Sequence, residues 1–146
     1  DIPYTAGVIL DKEMNNGRIE TNQKHLLLLK QCWSNSREYD RTIEVLQALA
    51  EQSSDGEFDI EIAQILVEKT DWDGASTAAR KGIDKGGLKK PGNAWLLLGM
   101  SLAEGGKYNE AERALREAKK FTENRVNERA QGWIDYINDR RQASGP

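Results

Sequence analysis

The 146-residue sequence has one cysteine, one histidine, three prolines and two phenylalanines. A lone Cys32 allows no disulfide within the chain, so cysteine usage leaves the compartment open. A lone His25 has no second histidine with which to share a metal and no nucleophile at a spacing that makes a catalytic pair. It reads as a surface or interhelical residue, and Cys32, beside Trp33, as a small buried apolar one. The longest aliphatic run, Leu26-Leu27-Leu28-Leu29, falls far short of the roughly 20 apolar residues that span a bilayer. Bracketed by His25 and Lys30, it reads as a buried helix face. No run of cations exceeds two residues and the net charge is -3, so there is no electrostatic footprint for nucleic acid. Lys89-Lys90 reads as a solvated turn. Gly86-Gly87 and Gly105-Gly106 follow no strand, which excludes a phosphate-cradling loop and makes them turn glycines. The chain opens Asp1-Ile2-Pro3 without an initiator Met or a basic-then-apolar leader, from which a mature product or an excised fragment of a longer chain is expected.

What is present is a spacing. In the stretch from Ala94 to Ala118, Trp95, Leu98, Gly99 and Leu102 fall on one helical stripe and Tyr108, Ala111, Leu115 and Ala118 on another. Small residues at Gly99, Ala111 and Ala118 let two helices approach closely. The aromatic-then-small pair Tyr108/Ala111 is echoed by Trp72/Ala75 and by Tyr39/Thr42, with aromatics 33 and 36 residues apart. Those intervals bracket the period of about 34 of a helix-turn-helix repeat. First helices are expected at 24–35, 57–69 and 93–104, and second helices at 40–52, 73–84 and 109–121. Within 57–69, Phe58-Asp59-Ile60-Glu61-Ile62 alternates like a strand, but Ala63, Ile65, Leu66 and Val67 continue it at helical spacing, so it is read as helix. Glu57, Asp59 and Glu61 then occupy outer, solvated positions. A leading helix at 4–15 places Ala6, Ile9, Leu10 and Met14 on one side. A closing helix at 125–141 places Val126, Ala130, Trp133, Ile134 and Ile137 on one stripe, the form of a cap that turns its polar face to water.

Trp95-x-x-Leu98-Gly99-x-x-Leu102 followed by Tyr108, Ala111, Leu115 and Ala118 resembles the tetratricopeptide repeat (TPR). Leu102 and Leu115 replace the usual aromatics, and Lys30 and Thr42 stand in the first repeat where small residues are usual. The resemblance implies an all-α TPR-type solenoid with a C-terminal capping helix: a helix left from an upstream repeat at 1–17, repeats at 23–55, 56–91 and 92–124, and the cap at 125–141, all in one domain. A narrower resemblance runs through Pro3-Tyr4-x-Ala6-Gly7, Asp11-Lys12, Gly17-Arg18-Ile19, Gly86 to Gly92 and Trp133-Ile134-x-Tyr136-Ile137. These are similar to the C-terminal part of exported bacterial TPR proteins encoded beside TonB, ExbB and ExbD. It implies a periplasmic location and an accessory role in that energy-transduction and uptake system.

With no catalytic constellation, the expected function is a non-catalytic protein-protein interaction scaffold, with no cofactor, no metal, no nucleic-acid partner and no membrane insertion. The alternative is the recognition or regulatory TPR domain of a larger cell-envelope enzyme. Stacked helix pairs line their concave side with first helices. In the register above, the partner groove comprises Leu27, Leu28 and Gln31, then Ile60, Glu61, Gln64 and Glu68, then Leu96, Leu97, Met100 and Glu104. That surface is apolar with an acidic rim, which suits a protein or peptide that is apolar, or apolar and basic, and the narrower resemblance implies a TonB, ExbB or ExbD component as that partner. The competing reading has Leu27, Leu28, Leu96 and Leu97 packing against a missing repeat or a second copy, so self-association stays open.

Overall fold

The structure, a computed structural model, describes residues 1–145. These form α1 (Ile2–Asn15), α2 (Gln23–Asn35), α3 (Tyr39–Gln52), α4 (Glu57–Glu68), α5 (Trp72–Lys85), α6 (Pro91–Glu104), α7 (Tyr108–Ala118) and α8 (Val126–Ala143). A 3-10 turn occupies Glu123–Arg125, and there is no strand among the described residues. The chain is all-α. The alternating stretch Phe58 to Ile62 lies inside α4, because helical burial continues through Ala63 and outweighs five residues of alternation.

Three turns are one structure repeated. After α2, α4 and α6 comes a residue with positive φ: Arg37 at 58°, Thr70 at 57° and Gly106 at 78°. Its N–H donates to the carbonyl three residues back, that of Ser34, Val67 or Ala103. The following N–H, of Glu38, Asp71 or Lys107, donates to the carbonyl five back, that of Trp33, Leu66 or Leu102. This left-handed Schellman closure satisfies carbonyls that a helix end leaves open. In each case the next residue is the aromatic Tyr39, Trp72 or Tyr108, which begins the second helix. Three residues further on, Thr42, Ala75 and Ala111 are buried. Thr42 fits where Ala stands in the other two because its hydroxyl donates to the Glu38 carbonyl at 2.8 Å, so no buried polar group is left unpaired.

The described residues divide into two compact units, one covering Asp1–Ser53 and the other starting at Ser54. In the first, α1 packs on α2 and α2 on α3. Trp33 lies at its centre. A methyl group on Gly7 would stand 2.8 Å from the Trp33 ring, Tyr4 meets that ring edge-on at 5.8 Å, and the Arg41 guanidinium lies 4.6 Å from its centroid. Two expectations are corrected here. The buried side of α1 is Gly7, Leu10 and Met14, while Ala6 and Ile9 face water; Trp33 demands the residue without a side chain, which rotates the helix toward Gly7. Of the four leucines in α2, Leu26 and Leu29 are buried with Trp33, whereas Leu28 is 54% exposed. At 100° per residue, four consecutive side chains cannot share a face.

In the second unit, α4 pairs with α5 and α6 with α7, while α6 also contacts α4, α5 and α8. Gly56 at the start of α4 lies against Gly82 near the end of α5, and Gly92 at the start of α6 against Phe121 just beyond α7. Both pairs are therefore antiparallel. Gly99 faces Leu115 and the Ala111 carbonyl so closely that a methyl would overlap Leu115. Leu98, Leu102, Leu115, Val126, Ile134 and Ile137 belong to one buried cluster, which joins α8 to α6 and α7. Asp59 corrects a third expectation: it is 2% exposed and pairs with Lys85 Nζ at 3.0 Å. A carboxylate in the first turn of α4 and a lysine in the last turn of α5 each complement a helix dipole, and the antiparallel pairing brings them together.

Two glycines separate backbone conformation from packing. Neither Gly106 nor Gly132 has an atom within 4 Å of an added methyl, but Gly106 has positive φ and Gly132 lies inside α8. We expect Gly106→Ala to lower unfolding free energy by about 1 kcal/mol, and Gly132→Ala to raise it by about 0.5–1 kcal/mol. Urea denaturation of the two variants checks the opposite signs.

Candidate functional site

The second unit holds a cleft of about 350 Å³ between α4, α6 and α8. Its lining follows from repeat register. Ile60 and Gln64 of α4 correspond to Leu96 and Met100 of α6, 36 residues on, and each pair sits one helical turn apart. Leu97, Asn93, Asn124, Arg129 and Trp133 complete the wall. Leu96, only 5% exposed, belongs to the core as well and forms the floor; Leu97, Met100 and Trp133 are half-buried.

Five of the groove residues read from sequence thus converge here: Ile60, Gln64, Leu96, Leu97 and Met100. Glu61, Glu68 and Glu104 do not line this cleft. Its charged lining group is Arg129, which is exposed and pairs with no carboxylate among the described residues. Leu27, Leu28 and Gln31 lie in the first unit, where Gln31 Nε2 donates to Asn35 Oδ1 at 2.7 Å.

Arg129, Trp133, Asn93 and Asn124 are additions to the candidate site. Arg129 and Trp133 share a face of α8 by i, i+4 spacing, a signal present in the sequence but assigned there to the cap alone. The Asn93 backbone N–H donates to Glu123 Oε1 at 3.0 Å, so a carboxylate from the link before α8 caps the start of α6. The Asn93 side-chain Oδ1 is buried and has no hydrogen-bond partner. Asn124 and Arg125, in that same link, both have positive φ, 49° and 57°. Two adjacent left-handed residues with side chains are costly, of order 1–2 kcal/mol each, and here they reverse the chain so that α8 forms the far wall.

The sequence matches no known family and no curated protein. The remaining chemistry is sparse. Among the described residues no group of three or more His, Cys, Asp or Glu side chains could hold a metal ion, and no helix is long and apolar enough to cross a membrane. His25 Nδ1 lies 2.6 Å from the Glu20 carbonyl, and Cys32 is half-buried. A larger hollow of about 630 Å³ borders α5 and α7 and contains Arg80, Lys81, Lys85 and Lys107. Its cations already face carboxylates: Arg80 faces Glu110 at 3.3 Å, Lys107 faces Asp73 at 3.4 Å, and Lys81 and Lys85 face Asp59. The smaller cleft, whose Arg129 meets no carboxylate among the described residues, is the better candidate.

The wall supplied by α8 is packed through Val126, Ile134 and Ile137 and pinned near its C-terminal end by charge. Arg141 reaches Glu112 at 3.0 Å and Asn109 at 2.7 Å, and Arg116 reaches the other Glu112 oxygen at 2.8 Å. Hydrogen bonds from Arg141 first, and Arg116 second, hold the Glu112 carboxyl below its ordinary 4.5. A depressed carboxyl stabilises the fold above the unfolded-state value and loses that contribution as pH falls through the folded one. Arg141→Ala should therefore be less stable than wild type near neutral pH, with the gap closing as acidification drops below 4.5 and Glu112 protonates. Thermal unfolding of both proteins across that range checks it.

Proposed function

We propose that the chain is a TPR-type module that docks another protein and performs no catalysis of its own. The observation that carries this reading is recurrence: the same left-handed turn at Arg37, Thr70 and Gly106, spaced 33 and 36 residues apart. Within the second unit α4 and α6 stand in equivalent positions in their helix pairs, and α8 follows as a cap would in a TPR solenoid. Within the second unit this supports a cleft with an apolar strip of Ile60, Leu96, Leu97 and Met100 edged by amide groups. Half-buried apolar side chains beside a few convergent polar groups are the usual composition of a protein-docking surface. The narrower resemblance supports a periplasmic accessory role, with a TonB, ExbB or ExbD segment as partner.

Calorimetric titration of purified periplasmic segments of TonB, ExbB and ExbD against the chain tests the proposal. Binding by at least one segment is expected. Burying an apolar side chain such as Leu97 is worth roughly 1.5–3 kcal/mol, so Leu97→Asp should weaken that binding by about tenfold or more at any ionic strength, with helicity checked by circular dichroism. Silence from all three segments would remove the TonB system from the reading. Binding indifferent to Leu97→Asp would remove the cleft.

A further inference from the structure

The turn after α1 carries a covalent reactivity of its own. Four steps in the chain place a glycine or serine directly after an Asn or Asp: Asn16-Gly17, Asn35-Ser36, Asp55-Gly56 and Asp73-Gly74. At such a step the backbone nitrogen of the second residue can attack the side-chain carbonyl carbon of the first, because a small, flexible follower leaves the approach open. Three of the four are held by the fold. Asn35 Oδ1 accepts from Gln31 at 2.7 Å, and Ser36 donates to the Cys32 carbonyl through its N–H at 3.2 Å and its hydroxyl at 2.8 Å. Gly56 is buried against Gly82, and its N–H donates to the Gly86 carbonyl at 2.9 Å. Gly74 lies inside α5 with its N–H on the capping Asp71 Oδ1 at 2.9 Å.

Asn16-Gly17 differs on each count. Asn15, Asn16, Gly17 and Arg18 are all exposed, and no atom stands within 4 Å of a methyl placed on Gly17. The Asn16 side chain makes no hydrogen bond among the described residues. Asn16 caps α1 at φ -82° and ψ -4°, so bringing the Gly17 nitrogen round to Asn16 Cγ requires ψ to swing and the 3.1 Å bond from Gly17 N–H to the Met14 carbonyl to break. No packed side chain resists that motion, and fraying of a terminal helical turn supplies it.

We infer that Asn16-Gly17 is a self-modification site, converting to aspartate and isoaspartate in the folded chain. Hydroxide takes the Gly17 N–H proton and the nitrogen forms a bond to Asn16 Cγ. The bond from Cγ to the side-chain nitrogen breaks, and the leaving group takes a proton from water to depart as ammonia, which returns the hydroxide. Water then opens the five-membered ring at one or the other carbonyl, giving aspartate or isoaspartate. One water enters, one ammonia leaves and nothing is oxidised or reduced. Either product puts a new carboxylate at the C-terminal end of α1, where the helix dipole opposes it. Isoaspartate also adds a methylene to the main chain, which shifts Arg18 and Ile19 away from the Glu13 carbonyl that both N–H groups reach, at 2.9 and 3.1 Å. Conversion therefore loosens the closure of α1.

Ageing the full chain at mildly alkaline pH, with and without denaturant, and mapping its tryptic peptides by fragmentation mass spectrometry tests the inference. Asn16 should convert in the folded chain within about tenfold of its rate in denaturant, while folding slows Asn35, Asp55 and Asp73 by far more. Asn16→Gln, in which attack would have to close a six-membered ring, should leave that position unmodified. In the aged protein the Arg18 and Ile19 amide hydrogens should exchange with solvent faster than in fresh protein. An Asn16 that converts only in denaturant, or no faster than Asn35 in the folded chain, overturns the site. Unchanged exchange at Arg18 and Ile19 in converted protein overturns the loosening of α1.

Discussion

The architecture depends on a backbone constraint one residue wide. A helix can reverse into its neighbour after Ser36, Lys69 or Gly105 only if a residue adopts left-handed geometry, and Arg37, Thr70 and Gly106 do so. Side chains at Arg37 and Thr70 make that conformation costly, by about 1–2 kcal/mol each. What offsets it is the contact the reversal creates. It starts the second helix on an aromatic residue and brings a small residue, Thr42, Ala75 or Ala111, into the interface three positions later. In the second unit, close approach of Gly99 to Leu115 and of Gly56 to Gly82 follows from the same geometry. Turn, aromatic and small residue act together, and that is why they recur together at the same offsets.

The candidate site inherits this order. Because α4 and α6 occupy equivalent places in successive pairs, side chains one turn apart on each, Ile60 and Gln64 on one and Leu96 and Met100 on the other, line the same cleft. The third wall breaks the pattern. It depends on Asn124 and Arg125 turning the chain through consecutive positive-φ residues, on Glu123 capping α6, and on Arg141 holding α8 to Glu112 of α7. The strained link and the unpaired Asn93 side-chain oxygen lie beside the cleft, at the point where the repeat geometry gives way to a special one. Strain and unsatisfied polarity tend to collect where a structure is arranged for a ligand rather than for stability.

How much could be read beforehand follows from which contacts are local. Helix positions came from spacing within 12 residues or so, and the turn positions from aromatics 33 and 36 residues apart; both are properties of the chain itself. Which face of α1 is buried was not legible, since it depends on Trp33 of another helix requiring Gly7 rather than Ala6. Asp59 looked like a solvated carboxylate because its partner Lys85 lies 26 residues away and meets it only through antiparallel pairing. The aliphatic part of the cleft was legible for the reason the repeats were. Its charge was not: Glu61, Glu68 and Glu104 share helices with the lining residues but not the lining, and Arg129 enters it only because α8 is turned back along α6.

The central claim is that a peptide segment seats between α4, α6 and α8. Nitrogen-15 NMR of the full chain, titrated with a bound peptide, tests it most directly. The account expects shifts concentrated at Gln64, Asn93, Met100, Arg129 and the Trp133 indole N–H. Shifts concentrated instead on the α5 and α7 side, around Arg80, Lys107 and Glu110, with the Trp133 indole and the Asn93 amide unmoved, would contradict it.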